Sequence, residues 1–150
     1  MTTAKNENLT PLAHAAQNRC FGCGEANPTG LHLKFFLADD GTVVCDAVVP
    51  DTCEGPQGYV HGGIIATLLD ETMSKAVRSR GVVAMTARLE LDYRRPVPSS
   101  APDTPRPVRL EGRVVRSEGR KHWVEARVVD AGGAELAAGK GLFVEIKPRR

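Results

Sequence analysis

The 150-residue sequence lacks long hydrophobic runs and any excess of one charge. No stretch approaches the ~18 consecutive apolar residues that cross a bilayer, and the N-terminus has no apolar core of the signal-peptide type. We therefore expect a cytoplasmic protein that acts away from membranes. Its 20 basic and 18 acidic residues leave a net charge of only +2, which disfavours a nucleic-acid-binding protein. Four cysteines do not require disulfides, and a cytoplasmic setting argues against them.

The length suits one domain of ordinary size. We expect a polar arm or short helix over residues 1–18 and the folded domain over residues 19–148. Residues 18–30 are rich in glycine, proline and cysteine and are typical of a structured loop. Alternating apolar and polar residues predict six strands. These strands are expected at 31–37, 42–49, 82–97, 108–118, 122–130 and 134–147.

A long amphipathic helix is predicted from Gly62 to Arg80, between the second and third strands. Its apolar residues recur at the i, i+3, i+4 spacing of a helix packed on one side, and Gly81 is placed to end it. These apolar residues are Ile64, Ile65, Leu68, Leu69, Met73, Ala76 and Val77. Two strands, one helix and four strands predict an α+β fold, in which one antiparallel sheet carries a single helix on one face.

The start of this helix combines features that suit acyl chemistry. The first backbone N–H groups of a helix have no partner within it and carry the positive end of its dipole. Gly62 and Gly63 would let a ligand approach these groups closely, as a carbonyl oxygen that becomes an oxyanion requires. Asp70 follows seven residues after Gly63, about 10 Å along the axis and broadly on the same side. It could act as a general base or as a nucleophile.

Each of these features also has an ordinary structural explanation. Glycine pairs open helices for packing alone, and a mid-helix aspartate such as Asp70 can simply border an apolar face. His61, immediately before the glycines, can be a helix cap or a core residue. The order of these residues within one short segment is what favours a catalytic site.

A family resemblance rests on this segment and on the strand that follows. The stretch "HGGIIATLLDET", residues 61–72, resembles the helix motif of hotdog-fold acyl-CoA thioesterases of the phenylacetate-pathway type. The block "AMTARLELDYRRPVP", residues 84–98, is similar to the next strand of that family. Further similarity in "CFGCGEANPTGLHLKF", "EGRKHWVEARVVD" and "LFVEIKP" extends the resemblance to about residues 18–148.

The resemblance implies a hotdog fold, with an antiparallel five- or six-stranded sheet wrapped around one long central helix. It also implies a hydrolase that converts an acyl-CoA thioester to a carboxylic acid and free coenzyme A. Such proteins form homodimers, often paired into homotetramers, with active sites at the subunit interface. No metal or redox cofactor is implied, because coenzyme A is part of the substrate.

The resemblance also implies roles for individual residues. Asp70 matches the catalytic carboxylate, which acts as a base or a nucleophile. Gly62 matches the glycine whose N–H polarises the thioester carbonyl, with Gly63 beside it, and His61 matches the histidine that shapes the pocket. Thr86 matches the hydroxyl residue that orients the water or the carboxylate, which this family supplies from the other subunit.

The sequence departs from the family at one position and leaves the coenzyme A contacts open. Many members carry an asparagine six residues before the histidine, where this chain has Gly55; Gln57 is a candidate substitute. Basic residues at the mouth of the site would bind the phosphates of coenzyme A, although ordinary solvated charges at strand ends are the alternative. The candidates are Arg94, Arg95, Arg120 and Lys121.

The segment "CFGC" has the CxxC spacing of a zinc knuckle or of a redox pair. A zinc site usually needs four ligands. A second pair would have to come from His14, His32, Cys45 or Cys53. Because Cys45 and Cys53 do not form another CxxC, we expect a packed loop around Cys20 and Cys23 and no metal.

Two other functions remain as alternatives to hydrolysis. A non-catalytic hotdog protein could bind acyl-CoA as a sensor or carrier. A hydratase or dehydratase on the same fold is disfavoured. The motifs of those enzymes place the catalytic histidine differently, and the spacing from His61 to Asp70 does not match them.

Overall fold

The computed structural model describes residues 8–147. The first part of the predicted arm, residues 1–7, and the predicted domain end at residue 148 lie outside this range. The elements are β1 (Leu9–Pro11), β2 (Phe36–Ala38), β3 (Val43–Ala47), a 3-10 turn (Asp51–Cys53), α1 (Gly62–Arg78), β4 (Ala84–Tyr93), β5 (Val108–Glu118), β6 (Lys121–Val129) and β7 (Glu135–Glu145). No helix in this range is long and apolar enough to cross a bilayer.

The sheet is antiparallel and places β4 and β1 at its two edges. Its strand order is β1-β2-β3-β5-β6-β7-β4. This makes seven strands within residues 8–147, where the sequence predicted five or six. The additional strand is β1, which pairs with β2. It lies within residues 1–18, where an arm or a short helix was predicted. It is three residues long and exposed, so it carries no apolar pattern that could predict it.

Helix α1 lies across one face of the sheet, as the periodicity predicted, and ends two residues before the predicted Arg80. Gly81, with φ +83°, lies just beyond the cap residue Ser79, in a left-handed conformation that glycine adopts without strain. The buried helix positions are Ile65, Leu68, Leu69, Thr72, Met73, Ala76 and Val77. They pack on core residues from β3, β5, β6 and β7.

The approach of α1 to β5 depends on a glycine. A Cβ built on Gly112 would lie 2.8 Å from Cγ2 of the buried Thr72, closer than side chains pack. Thr72 in turn donates a hydrogen bond from its hydroxyl to the carbonyl of Leu68 at 2.6 Å, so the buried hydroxyl has a partner. The pair sets how closely the helix sits on the sheet, and therefore where Asp70 lies relative to β4.

The predicted strand at 31–37 is wrong in its first half. Leu33 and Phe35 are buried, as their alternation suggested. However, the amides of Leu31 and Leu33 donate to the carbonyls of Phe21 and Gly22. The segment therefore pairs with the loop of residues 18–30, here called the cysteine loop, and regular strand pairing begins only at Phe36.

Candidate functional site

His61 caps the helix and so settles which amide is free at its start. Its Nδ1 accepts a hydrogen bond from the Gly63 N–H at 2.9 Å, and its carbonyl accepts the amides of Ile64 and Ile65. This confirms the capping explanation for His61. The amide of Gly62 makes no hydrogen bond to any residue of the range 8–147. Of the two glycines proposed as oxyanion donors, only Gly62 therefore has an available N–H.

The surroundings of Gly62 are open. A Cβ built there would meet only the ring of Tyr93, at 3.9 Å. The Tyr93 hydroxyl donates to the Gly62 carbonyl at 2.9 Å and ties the end of β4 to the start of α1. Tyr93 was not among the predicted site residues, although it lies in the strand segment of residues 84–98 that resembles the family.

Asp70 and Thr86 meet between the helix and the edge strand. The Thr86 hydroxyl donates to Asp70 Oδ1 at 2.6 Å, a length typical of a hydroxyl bonded to a carboxylate. Both residues belong to one chain, so the hydroxyl reaches Asp70 without a second subunit. The reason is topological: the strand that follows the helix is also the edge strand beside it.

The second oxygen of Asp70 is free to react. Within the described residues, Oδ2 has no hydrogen-bond donor and no lysine or arginine forms an ion pair with the carboxylate. Asp70 is half-buried, beside the buried Leu69 and Met73. It lies eight residues after Gly62, the glycine with the available amide, which places the two about 80° apart on the helix circumference and about 12 Å apart along its axis. One flank of α1 thus presents an amide donor and a carboxylate oxygen.

A cleft of 730 Å³ borders the helix start, and its lining includes neither Gly62 nor Asp70. Phe21, His32, Glu54, His61 and Ile64 are among its lining residues. The Glu54 side chain is fixed in this lining, because its carboxylate accepts hydrogen bonds from the Gly58 amide and from the Ser99 hydroxyl. Sequence reasoning did not find this cleft, since its residues come from three separate segments.

The family asparagine position has little room for a side chain in this chain. A Cβ on Gly55 would lie 3.2 Å from the Cα of His61, so a larger residue would press on the helix cap. Gln57, the candidate substitute, is exposed at a turn and contacts neither Asp70 nor Gly62 through a hydrogen bond among residues 8–147.

The four basic candidates divide into two separate groups. Arg94 pairs with Glu135 at 2.7 Å, at the beginning of β7, and Arg95 follows it beside the start of the helix. Arg120, next to Lys121, donates twice to the carbonyl of Glu145 at the other end of β7. The two groups are therefore roughly 33 Å apart along one strand. Of the four candidates, Arg94 and Arg95 are those that directly follow Tyr93, whose hydroxyl bonds the Gly62 carbonyl.

The cysteine loop packs against α1, as expected, but a carboxylate meets both sulfur atoms. Cys20 Sγ lies 3.5 Å from Glu71 Oε2, and the ligand atoms of Cys20, Cys23 and Glu71 all lie within 4.8 Å of one another. Burial raises the pKa of the Cys23 thiol to about 12, and Glu71 contributes to the rise through a hydrogen bond and its charge. Both cysteines are free thiols.

Comparisons with known proteins give the same fold and family. A curated relative, acyl-coenzyme A thioesterase THEM4 of Rattus norvegicus, is 33% identical over 118 residues, which are 78% of this chain and 49% of the relative. The chain spans about half the length of the curated relatives of this name from Rattus norvegicus and Xenopus laevis.

Solved structures superpose on most of the chain. The crystal structure of one thioesterase superfamily protein covers 86% of this chain and 60% of its own, with a TM-score of 0.76 and 29% identity. A Bacillus halodurans protein solved with CoA covers 79% of this chain and 77% of its own, with a TM-score of 0.67 and 26% identity. These matches confirm the predicted hotdog architecture. A model of the thioesterase superfamily matches residues 57–137, more than half of the sequence, and the chain belongs to this superfamily.

Proposed function

We propose that this protein hydrolyses an acyl-CoA thioester to a carboxylic acid and free coenzyme A. The observation that carries the proposal is the hydrogen bond between Thr86 and Asp70 on the helix flank that also presents the free Gly62 amide. Thioester hydrolysis needs a donor for the developing oxyanion and a group that activates or becomes the nucleophile. This flank has both, and the rat relative is named as an acyl-coenzyme A thioesterase.

In the proposed reaction the Gly62 amide donates to the thioester carbonyl oxygen. Thr86 holds Oδ1 of Asp70, so that Oδ2 faces the reacting carbon. Oδ2 removes a proton from an attacking water, and the tetrahedral oxyanion then collapses and expels the coenzyme A thiolate, which takes up a proton. In the covalent variant, Oδ2 itself attacks the carbonyl and water hydrolyses the resulting anhydride. Neither route requires a metal or a redox cofactor.

The arginines beside the helix start support a place for coenzyme A. Arg94 and Arg95 follow Tyr93, whose hydroxyl bonds the Gly62 carbonyl. Their guanidinium groups can bind the phosphates of a CoA molecule whose thioester reaches Gly62. We assign this role to Arg94 and Arg95 in preference to Arg120 and Lys121, which lie at the far end of β7. The Bacillus halodurans neighbour, solved with CoA, supports CoA as the ligand class.

A homodimer, alone or paired into a tetramer, would complete this site. Among residues 8–147, strand β4 is a sheet edge with one side unpaired, and unpaired edges readily take another strand. Val83, Met85 and Tyr93 are 45%, 60% and 53% exposed, an unusual concentration of apolar surface along one edge. A partner across β4 would cover the flank that holds Asp70 and exclude water from it.

A hydrolysis screen over short, medium, long and aromatic acyl-CoAs, read by release of free thiol, tests the proposal. Asp70→Asn should remain folded and bind substrate but lose about 10²–10⁴-fold in kcat. Asp46→Asn is the matched control, because Asp46 is an exposed carboxylate on β3, remote from the helix flank. Saturable acyl-CoA binding without thiol release would instead identify a binding protein, and wild-type turnover by Asp70→Asn would refute the mechanism.

A further inference from the structure

Three ligand-type atoms converge where the N-terminal loop meets the outer side of α1. The two sulfur atoms of Cys20 and Cys23 and a carboxylate oxygen of Glu71 lie within 4.8 Å of one another. Cys23 is only 2% exposed, and the Glu71 side chain is 14% exposed. Two thiols are poor partners for a buried carboxylate, because S–H is a weak hydrogen-bond donor. The acyl site does not use this cluster, since Glu71 projects about 100° away from Asp70 on the helix.

The spacing of these atoms fits one tetrahedral ion. Zinc binds cysteine sulfur at about 2.3 Å and carboxylate oxygen at about 2.1 Å, so two such ligands on one ion lie about 3.6 Å apart. Cys20 Sγ and Glu71 Oε2 are separated by 3.5 Å. Small rotations of the side chains would therefore seat an ion without any change in the backbone.

The loop is built around this convergence. Gly22 lies between the cysteines, and a Cβ there would come within 2.7 Å of the Glu71 carboxyl carbon, so only glycine lets the carboxylate approach. Asn18 orients both cysteines: its Oδ1 accepts the Cys20 amide at 3.0 Å, and its Nδ2 donates to Cys23 Sγ at 3.6 Å. An N–H group directed at sulfur stabilises a thiolate, as hydrogen bonds to the ligands do in metal sites.

We propose that Cys20, Cys23 and Glu71 bind a zinc ion that fastens the N-terminal loop to α1. This goes beyond the proposed function and departs from the expectation of a metal-free loop, which considered only cysteine and histidine ligands. The fourth coordination position faces a cleft of 510 Å³ also lined by His14, so the imidazole or a water is the available donor. Because Glu71 follows Asp70 directly, the ion would hold the loop against the helix turn that carries the reactive carboxylate.

The donor set selects the class of metal. Two thiolates favour zinc over the hard ions calcium and magnesium, and the carboxylate disfavours copper(I), which prefers sulfur alone. Two thiolates and one carboxylate carry three negative charges, so a bound divalent ion leaves one negative charge uncompensated. Lys75, whose ammonium lies 4.0 Å from Glu71 Oε1, balances that remaining charge.

Cobalt(II) substitution tests the site independently of catalysis. The full chain is purified under reducing conditions, treated with a chelator and titrated with Co²⁺, and its ultraviolet and visible absorption is recorded. Equimolar Co²⁺ should produce thiolate-to-cobalt charge-transfer absorption and the visible bands of tetrahedral cobalt, and Zn²⁺ should abolish both. Zinc should also raise the Tm of the chelator-treated protein.

Matched variants decide whether these residues are the ligands. Cys20→Ser should lose about half or more of the charge-transfer absorption, because one of the two thiolates is removed, while circular dichroism confirms its fold. Cys53→Ser, which changes another half-buried cysteine outside the cluster, should retain the full absorption. Glu71→Gln should bind Co²⁺ at least about ten-fold more weakly, because loss of a ligand exceeds loss of an outer hydrogen bond. The proposal is overturned if the wild-type protein shows no such absorption, if Cys20→Ser retains it in full, or if Cys20 and Cys23 form a disulfide under these reducing conditions.

Discussion

Thr86 Oγ1 lies 2.6 Å from Asp70 Oδ1, joining the middle of the central helix to the edge strand across 16 residues of sequence. The bond uses one carboxylate oxygen and leaves the other free. It also restricts both torsions of the Asp70 side chain, because it holds Oδ1 at one position. The geometry expected of a positioned base or nucleophile is therefore present within a single chain.

Removal of the Thr86 hydroxyl should lower kcat and leave KM nearly unchanged, since Thr86 positions Asp70 and does not bind substrate. A hydrogen bond to a charged group is worth about 1.5–3 kcal/mol, so Thr86→Val should cost roughly ten- to hundred-fold in kcat. Thr86→Ser retains the hydroxyl and should recover most of the rate. The split between kcat and KM is measured by steady-state thiol release. A rise in KM with unchanged kcat would assign Thr86 to substrate binding.

Gly62→Pro should remove the oxyanion donor without disturbing the helix. Gly62 is the first helical residue, where proline is favoured, its N–H has no partner to lose, and His61 has the extended ψ of 139° that a residue before proline requires. We expect a loss of about 10²–10³-fold in kcat with little change in Tm. Gly62→Ala is the control, because it keeps the amide and has room for a Cβ. Equal turnover by the proline and alanine variants would exclude the Gly62 amide as the donor.

His61→Ala should destabilise the protein through the helix cap. The Gly63 amide then loses its acceptor, and loss of a cap costs about 0.5–2 kcal/mol in the free energy of unfolding. His61→Asn supplies another good capping side chain and should restore most of this stability. Urea unfolding of the three proteins gives the comparison. If His61→Asn restores stability but not turnover, the imidazole has a role at the substrate as well.

Cys45 should resist thiol reagents in the folded protein. It is 1% exposed in the core, and burial raises the pKa of its thiol to about 12. Because the thiolate is the reactive form, labelling of Cys45 should remain slow from pH 7 to well above the ordinary thiol value of 9.0, and should become fast on unfolding. The half-buried Cys53 is the internal reference, and labelled peptides are quantified by mass spectrometry. Labelling of both cysteines at the same rate in the native state would contradict this core position.

Local patterns predicted the elements that depend on local interactions. Strand β5 lies at Val108–Glu118, as predicted, since both of its ends border loops rich in turn residues. Helix α1 follows from its apolar spacing, and its end is two residues early because cap geometry decides it. The segment 31–35 has a strand pattern but pairs with a loop, and β1 has no pattern at all. In both places the hydrogen-bonding partner, which is distant in sequence, decides the structure.

The candidate site divides in the same way. Gly63 and Asp70 could be placed broadly on one side of the helix from their separation of seven residues, because helix geometry is regular. That the Gly63 amide is occupied and the Gly62 amide is free depends on the rotamer of His61. The separation of Arg94 from Arg120 depends on the strand register of β7.

The helix, the alternating strands and the residue types that acyl chemistry needs could be predicted, because periodicity and spacing are properties of neighbouring residues. The contact of Thr86 with Asp70, and that of Glu71 with Cys20 and Cys23, could not be predicted, because both depend on the fold. These contacts join segments 16 and 51 residues apart. They arise because burial of one helix face against the sheet fixes what its two flanks can touch.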